Sequence, residues 1–409
     1  MTIGTSDCGL SYAVLKSGNA VAYCALWIKC GTRDEDGFHS GIAHFTEHTI
    51  FRGTTSRSAS VINSYLDRLG GDLNAFTNKE EIVIHATVLK EDLQKAVGLL
   101  MELATSPTFP EDEIETERGV VIDEIISYKD SPSDDVYDRF EEEFFKGHPL
   151  EKPILGTAAS VKKISSKELR DFVTKKFVPS KMALTIVSPD DEKKTEKIVK
   201  RLSDKYFSVH AVSPGEERIL SQPSAPAFFK TIEKHNHEVN AVIGSAAPSL
   251  YDGKDRMATV LLANILGGPA SNSLLNSELR EKNGWVYGVE CNYTQYADTG
   301  LLSISFGCDR PNLNNCLNSI KRIFKGLREK PLSETKLKAS KKQLLAQLSV
   351  ASESGEARCL SMGKSLLVFG KINTSEENRA EIESISSKDI MEMAGKLLSE
   401  DRLSTLIYL

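Results

Sequence analysis

Apolar residues occur along this chain in short runs that alternate with longer amphipathic stretches. Runs of strand length span residues 20–28, 182–187 and 403–408. Residues 111–128 instead mix acidic and apolar positions at helical spacing. The run at 20–28 is much shorter than the roughly 20 apolar residues that cross a bilayer. The pattern therefore predicts strands and amphipathic helices, and no membrane-spanning segment.

The chain also repeats itself. Three segments of the first half reappear in the same order in the second half: 63–67 as 276–280, 81–85 as 302–306, and 163–168 (KISSKE) as 384–389 (SISSKD). Each copy reads as strands, a helix pair, a strand pair, long helices and a closing strand. We therefore expect an α+β fold of two homologous domains, each a largely antiparallel sheet with helices on one face.

The repeat also predicts where the domains divide. We expect a first domain over residues 1–207 and a second over residues 228–409. Residues 208–227 lie between the two copies and contain three prolines and a glycine. Such a composition is typical of a linker.

Composition limits the classes of binding partner and the cellular compartment that we expect for this chain. The 409 residues carry a net charge of −6, which argues against nucleic acid or an anionic membrane as the main partner. Seven scattered cysteines without a Cys-x-x-Cys pair indicate free thiols in a reducing compartment. The N-terminus shows no signal-peptide pattern. We expect a cytoplasmic protein, although a periplasmic or organellar protein whose targeting segment was removed would look the same.

One helical stretch carries a metal-binding pattern. His44 and His48 are four residues apart, so on a helix they project about 40° from each other on one face and can reach one Zn²⁺. Glu47 lies on the same side of the helix, about 60° from His44, and suits a general base that acts on water at the metal. This His-x-x-Glu-His pattern is the reverse of the commoner His-Glu-x-x-His. It also arises by chance in roughly one such chain in a hundred.

A catalytic zinc site needs a third protein ligand. The acidic helix at residues 111–128 offers Glu117 and Glu124, which are seven apart and share a face. Glu124 sits among valines and isoleucines, where a carboxylate is costly unless it is paired or bound to metal. On pattern alone, an ordinary exposed acid of a surface helix remains the less favoured alternative, at roughly one chance in three.

The motifs together resemble those of the pitrilysin-type inverzincins, especially the mitochondrial processing peptidase branch and its bacterial relatives. The resemblance covers nearly the whole chain. Besides the His-x-x-Glu-His core, it rests on residues 31–35 (GTRDE), 51–54 (FRGT), 70–77 (GGDLNAFT) and 117–121 (ERGVV). It implies one zinc per chain held by His44, His48 and Glu124. It further implies that Glu117 orients the site from behind the ligands.

The resemblance also assigns residues in the second copy. There His44, Glu47 and His48 correspond to Met257, Val260 and Leu261, so the metal chemistry is absent from that copy. Instead the family carries an Arg and a Tyr seven apart, which match Arg280 and Tyr287. They imply substrate binding and stabilisation of the developing oxyanion. Without the family they would be a surface arginine and a half-buried tyrosine.

Substrate and partner follow from the same resemblance. The stretch formed by Leu73, Asn74, Ala75, Phe76 and Thr77 is similar to the family's edge strand that pairs with an extended peptide. On pattern alone it is a strand after a turn. Four such domains enclose the substrate in this family, and this chain supplies two. A homodimer with each site built across two subunits is therefore implied, or a heterodimer with a partner whose metal site is degenerate.

The expected activity is zinc-dependent endoproteolysis of peptides or unfolded segments. Two other functions stay open. Relatives of this fold serve as non-catalytic assembly subunits, although these have usually lost part of the metal motif. A dedicated maturation peptidase acting on one precursor would show the same residues as a general peptidase.

Overall fold

The computed structural model of the protein describes residues 1–207, 218, 220–234 and 237–409. Within them the strands are β1 (Thr2–Thr5), β2 (Ser11–Lys16), β3 (Val21–Ile28), β4 (Asp72–Thr77), β5 (Ile82–Leu89), β6 (Met182–Ser188), β7 (Phe229–Ile232), β8 (Val239–Ala247), β9 (Val286–Gln295), β10 (Gly300–Cys308) and β11 (Ser404–Tyr408). The three apolar runs of the sequence correspond to β3, β6 and β11.

Helices supply the other layers of the fold. They are α1 (Ile42–Ile50), α2 (Ala59–Tyr65), α3 (Leu93–Thr105), α4 (Glu111–Asp130), α5 (Pro132–Phe144), α6 (Ala158–Val161), α7 (Ser166–Lys176), α8 (Glu192–Tyr206), α9 (Gly253–Gly267), α10 (Leu313–Glu329), α11 (Glu334–Ser352), α12 (Gly355–Phe369), α13 (Ser375–Ser384) and α14 (Ser387–Leu397). A π-helical segment, Asn276–Lys282, precedes β9. None of the described helices combines the length and apolar character of a membrane span.

The chain forms two compact units. Unit 1 comprises Met1–Ile126, Lys152–Arg218 and Val350–Asn373, and unit 2 comprises Ser127–Glu151, Ile219–Ser349 and Thr374–Leu409. Each unit therefore includes a segment taken from the other half of the sequence. Residues 208–217 and 219 of the expected linker lie outside the described residues, and the domain boundary between 207 and 228 stays a prediction.

Unit 1 contains a six-stranded sheet in the order β1-β2-β6-β3-β5-β4. The pairing of β2 with β6 is parallel and the other pairings are antiparallel. One face packs against α1, α3, α7 and α8, with Leu26, Phe45 and Leu100 fully buried between the layers. Strand β4 lies at one edge of this sheet. This arrangement places α1 and β4 next to each other at the site described below.

Unit 2 contains a five-stranded sheet in the order β7-β11-β8-β10-β9. This order matches β2-β6-β3-β5-β4 of unit 1, with the parallel pair again formed by the first two strands. The repeated serine motif begins equivalent helices: Ser165 caps α7 and Ser386 caps α14. The predicted α+β class with two largely antiparallel sheets is confirmed.

Each sheet also carries one helix on its second face, which the sequence did not predict. In unit 1, α12 buries Cys359, Met362 and Leu366 against Trp27. The approach is so close that a Cβ on Gly363 would overlap the indole ring. In unit 2, α5 packs in the same way on β8 and β11, with its Phe140 fully buried. These two helices are the segments that each unit takes from the other half of the sequence.

Candidate metal centre

Helix α1 begins at a buried turn that leaves no room for a capping side chain. Its N-cap, Gly41, has a φ of 90°, and a Cβ there would lie 2.8 Å from the carbonyl oxygen of Leu155. The carboxylate of Glu35 satisfies the free amides instead, accepting hydrogen bonds from the N–H groups of Gly41 and Ala43, each 3.0 Å away. Burial raises the pKa of Glu35 to about 8, against the lowering effect of these two donors.

His44 and His48 project from the same face of α1, as the spacing predicts. Their ring centroids are 4.6 Å apart. Burial, and then the neighbouring His48, lower the pKa of His44 to about 4, so its imidazole is neutral near pH 7. A neutral imidazole is the form that binds a metal. Phe45, the residue after His44, is fully buried and anchors the helix in the core.

Glu124 on α4 brings the carboxylate to the two imidazoles. Its Oε2 atom lies 3.7 Å from Nε2 of His44 and 3.4 Å from Nε2 of His48. The hydrogen bond to His48 lowers the pKa of Glu124. Among the described residues, these three form the one group of His, Cys, Asp or Glu side chains whose ligand atoms all lie within 4.8 Å of one another.

The donor set fits zinc. Ligand atoms placed about 2.0–2.1 Å from one ion in tetrahedral geometry are about 3.3 Å apart, close to the separations measured here. Two imidazoles and one carboxylate are also a set that catalytic zinc sites use. The side chain of His44 is 8% exposed and that of Glu124 is 32% exposed, so the site has one side open to solvent. The structure thus brings the predicted ligands together, and their binding of zinc stays a prediction.

Glu117 contacts His48 at the ring nitrogen that does not face Glu124. Its Oε2 atom is 3.1 Å from Nδ1 of His48, and its Oε1 atom pairs with Arg52. Burial alone would raise the pKa of Glu117, but the bond to His48 and the charge of Arg52 hold it below its usual range. Burial by itself would lower the pKa of His48, but the hydrogen bonds to Glu117 and Glu124 outweigh it and raise that pKa to about 9. A metal that binds His48 would therefore displace a proton from its ring.

Arg52 was not assigned a role from the sequence. It lies two residues past the end of α1, in the turn that follows the helix. A cation only four residues after His48 in the sequence could have indicated a contact with an acidic residue of the site.

The predicted base, Glu47, reaches the same site. Its Oε2 atom accepts a hydrogen bond from the hydroxyl of Thr77 at 2.7 Å, and burial raises its pKa. Glu47 and His48 line a cavity of about 410 Å³, whose other walls include Leu73 and Asn74 of β4. The carboxylate of Glu47 therefore borders this cavity, and its role as a base stays a prediction.

Strand β4 contains all five residues predicted to pair with substrate. Within the described part of the chain it pairs with β5 alone, from Asp72 opposite Thr87 to Thr77 opposite Ile82. Its other side forms the edge of the sheet and borders the cavity at Leu73, Asn74 and Ala75. The geometry suits the addition of an extended peptide, which stays a prediction.

Arg280 and Tyr287 belong to unit 2, whereas the three ligands belong to unit 1. Arg280 is exposed on the π-helical segment before β9. Tyr287 is the second residue of β9 and is 65% exposed, and its hydroxyl donates a hydrogen bond to Oδ1 of Asp309 at 3.0 Å. Both side chains are therefore available to a ligand at the surface of unit 2. Their predicted roles stay untested.

Comparison with known families accounts for most of the chain. The family model described as "Insulinase (Peptidase family M16)" matches residues 12–158. A second model, described as "Peptidase M16 inactive domain", matches residues 163–344. The first covers the stretch that contains His44, His48 and Glu124. The second covers the copy in which the counterparts of the two histidines, Met257 and Leu261, are apolar.

Relatives along the full length are named as zinc proteases. An uncharacterized zinc protease from Rickettsia bellii (strain RML369-C) is 30% identical over 379 residues, which is 93% of this chain and 90% of that protein. The uncharacterized zinc protease YmxG from Bacillus subtilis (strain 168) is 29% identical over 397 residues, which is 96% of this chain and 95% of that protein.

Two solved structures share the fold. One is the "peptidase M16 inactive domain" from Pseudomonas fluorescens, with a TM-score of 0.89 and 19% identity, covering 100% of this chain and 97% of that chain. The other is "a protease from Helicobacter pylori", with a TM-score of 0.88 and 20% identity, covering 100% of this chain and 99% of that chain. At these identities the likeness concerns the fold alone.

Proposed function

The chain belongs to peptidase family M16, and from that premise we propose that it is a zinc metalloendopeptidase that hydrolyses peptides or unfolded segments. The observation that carries the proposal is the convergence of His44, His48 and Glu124 beside the carboxylate of Glu47. Family membership supports a metallopeptidase, and the intact ligand set extends that support to this chain.

The residues divide the reaction between them. His44, His48 and Glu124 would hold a zinc ion, which would supply Lewis-acid polarisation of the scissile carbonyl and of water. Glu47 acts as the general base, accepting the proton of the attacking water, and then delivers it to the leaving amine. Its Oε2 atom accepts the hydrogen bond of Thr77, whereas within the described residues its Oε1 atom accepts none, so Oε1 is the freer oxygen to take the proton.

Strand β4 provides the substrate surface in this proposal. An extended peptide that pairs with the edge of β4 offers its backbone to the cavity containing Glu47. Backbone pairing reads the extended shape more than the side chains, so we expect broad cleavage of peptides and unfolded segments. A folded protein offers no free strand and is expected to resist.

We further propose that the chain works as a homodimer. Arg280 and Tyr287 of one subunit would then bind substrate and the developing oxyanion at the zinc site of the other. Their exposure on unit 2 supports this role. A heterodimer whose second subunit lacks a metal site is the alternative assembly. The burial of all seven cysteines as free thiols accords with the expected reducing, cytoplasmic compartment.

Two other functions compete with a general peptidase. A non-catalytic assembly subunit needs no metal ligands and no base, so the convergence of four such side chains favours an enzyme. A maturation peptidase for one precursor differs only in its substrate range.

Digestion of a peptide library, followed by mass spectrometry, tests the activity and its range together. We expect the zinc-loaded protein to cut many extended peptides and the Glu47→Gln variant to cut none while keeping its zinc. Cleavage confined to one sequence would favour the maturation peptidase. Equal product from wild type and Glu47→Gln would reject Glu47 as the base, and no product from either would reject the peptidase.

A further inference from the structure

The contact between Thr77 and Glu47 joins two parts of the site that the sequence treats separately. The hydroxyl of Thr77, the last residue of β4, donates a hydrogen bond of 2.7 Å to Oε2 of Glu47 on α1. Thirty residues separate the two side chains in the sequence. Bonds of this length from a hydroxyl to a carboxylate are charge-assisted and stronger than neutral ones. The contact therefore links the expected substrate strand directly to the expected base.

The backbone of Thr77 is firmly fixed. Thr77 lies opposite the fully buried Ile82 in the pairing of β4 with β5. The turn that follows is closed by the side chain of Asn78, whose Oδ1 atom accepts hydrogen bonds from the N–H groups of Glu80 and Glu81 at 2.8 and 2.7 Å. Rotation about the Cα–Cβ bond of Thr77 is thus the main freedom left to its hydroxyl.

The same turn is tied to the segment that leads into α1. The N–H of Thr32 bonds to the carbonyl oxygen of Asn78 at 3.3 Å, and the N–H of Arg33 bonds to that of Lys79 at 3.0 Å. The side chain of Arg33, which is fully buried, pairs with Glu80. The end of β4 and the approach to α1 are therefore one connected backbone network, with the Thr77–Glu47 bond across it.

Glu47 needs such a support. A glutamate has three side-chain torsions, and a base that rotates away from the reacting water loses rate without losing substrate. The bond from Thr77 holds Oε2 and so determines the direction of Oε1. No other side-chain hydrogen bond to Glu47 occurs within the described residues.

We propose that Thr77 is a positioning residue: its hydroxyl orients the carboxylate of Glu47 and couples the base to the strand on which substrate pairs. This inference rests on the proposed peptidase function and adds a role for a side chain, whereas the expected pairing of β4 with substrate uses its backbone. Removal of the hydroxyl should therefore lower kcat and leave KM and zinc binding unchanged.

The test compares Thr77→Val, which has the same shape without the hydroxyl, with Thr77→Ser, which keeps the hydroxyl. Thr87→Val is the matched control, because Thr87 is a half-buried threonine on the adjacent strand and does not bond to Glu47. For Thr77→Val we expect kcat to fall roughly 10- to 100-fold, the loss of one charge-assisted hydrogen bond. Thr77→Ser should recover most of this loss, and Thr87→Val should match wild type.

Two further measurements separate positioning from a structural role. The affinity of zinc-free protein for a fluorescent peptide and the zinc content of each variant should equal those of wild type. A weaker peptide affinity or a lost zinc in Thr77→Val would show that the residue acts on β4 or on the fold, and would overturn the inference. If Thr77→Val does not fold, Thr77→Ala takes its place in the same comparison.

The outcomes distinguish a failure of this inference from a failure of the proposed peptidase function. Equal kcat for Thr77→Val and wild type, with Glu47→Gln inactive, rejects the role of Thr77 and keeps the peptidase. Inactive, zinc-loaded wild type rejects the peptidase and the inference together. If kcat falls in Thr77→Val and is equally low in Thr77→Ser, the positioning role of Thr77 is rejected, because the serine hydroxyl can make the same hydrogen bond.

Discussion

The Nδ1 atom of His48 lies 3.1 Å from Oε2 of Glu117, on the side of the imidazole away from Glu124. This contact fixes the ring so that Nε2 faces the expected metal, and it makes the ring a better ligand. Glu117 is itself held by Arg52, whose guanidinium pairs with its other oxygen. Orientation of His48 therefore depends on Arg52, a residue three contacts away from the expected metal.

Loss of Arg52 should weaken zinc binding without removing a ligand. We expect Arg52→Gln to lower the affinity for zinc roughly tenfold, because Glu117 loses the partner that holds it against His48. A competition titration with a chromophoric chelator measures this change.

Arg57→Gln is the matched control for that experiment. Arg57 pairs with Glu102, and the two ion pairs have similar side-chain exposure. The arginines are 29% (Arg52) and 23% (Arg57) exposed, and each partner glutamate is 3% exposed. Both variants should lose stability, and only Arg52→Gln should lose zinc affinity. Equal affinities in the two variants would show that Arg52 does not act through Glu117.

Two threonines of α1 should respond oppositely to the same substitution. The hydroxyl of Thr46 is buried and has no hydrogen-bond partner within the described residues, whereas that of Thr49 donates to the carbonyl oxygen of Phe45 at 2.6 Å. Thr46→Val should therefore raise the free energy of unfolding by about 1 kcal/mol, and Thr49→Val should lower it by about as much. Urea unfolding of zinc-free protein measures both. A loss of stability in Thr46→Val would mean that its hydroxyl is satisfied.

The buried carboxyl of Glu35 should make stability depend on pH. Burial raises its pKa from 4.5 to about 8 in the folded protein. Between these values the folded state holds a proton that the unfolded state has released. The free energy of unfolding should therefore fall as pH rises through this window, by up to about 1.4 kcal/mol per pH unit.

Glu35→Gln isolates this contribution, because an amide does not titrate and still offers an oxygen to the N–H groups of Gly41 and Ala43. We expect the stability of wild type relative to Glu35→Gln to decline between about pH 5 and pH 8 in urea unfolding with a chelator present. A constant difference would mean that the two backbone donors keep Glu35 ionised in the folded state.

Mixed dimers test whether each zinc site uses residues of two subunits. Glu47→Gln lacks the base and Arg280→Ala lacks a residue of unit 2, and we expect each to be inactive alone. A dimer of the two variants would contain one site with an intact base and an intact Arg280. We therefore expect mixing to restore about half of the wild-type activity per mixed dimer.

A mixture of Glu47→Gln with His48→Ala is the control, since both changes lie in unit 1 and no combination yields an intact site. Activity that returns in neither mixture, despite subunit exchange shown by native mass spectrometry, would contradict a shared site. Activity that returns in both mixtures would contradict it as well.

The sequence predicts some parts of this site for local reasons and others only through resemblance. The spacing of His44, Glu47 and His48 defines one face of a helix, and the structure shows that face. Glu124 is far away in the sequence, and its apolar neighbours did not identify it securely, because Val120 and Ile126 are in fact 48% and 50% exposed. The resemblance, not the pattern, singled out this residue.

Contacts between distant segments lay beyond sequence reasoning. The bonds of Thr77 to Glu47 and of Glu35 to the start of α1 depend on how loops close in space. Helical periodicity indicates that α12 is a helix, but it does not indicate which sheet the helix covers. The packing of Cys359 and Met362 on the sheet of unit 1 therefore appears only in the structure.

Zinc binding by Glu124→Gln tests most directly whether His44, His48 and Glu124 form the metal centre. Asp123→Asn is the matched control, because Asp123 is the adjacent acid of α4 and is exposed. We expect wild type and Asp123→Asn to bind about one zinc per chain with similar affinity, and Glu124→Gln to bind at least about 100-fold more weakly. Tight zinc binding by Glu124→Gln, or none by wild type, would contradict the assignment.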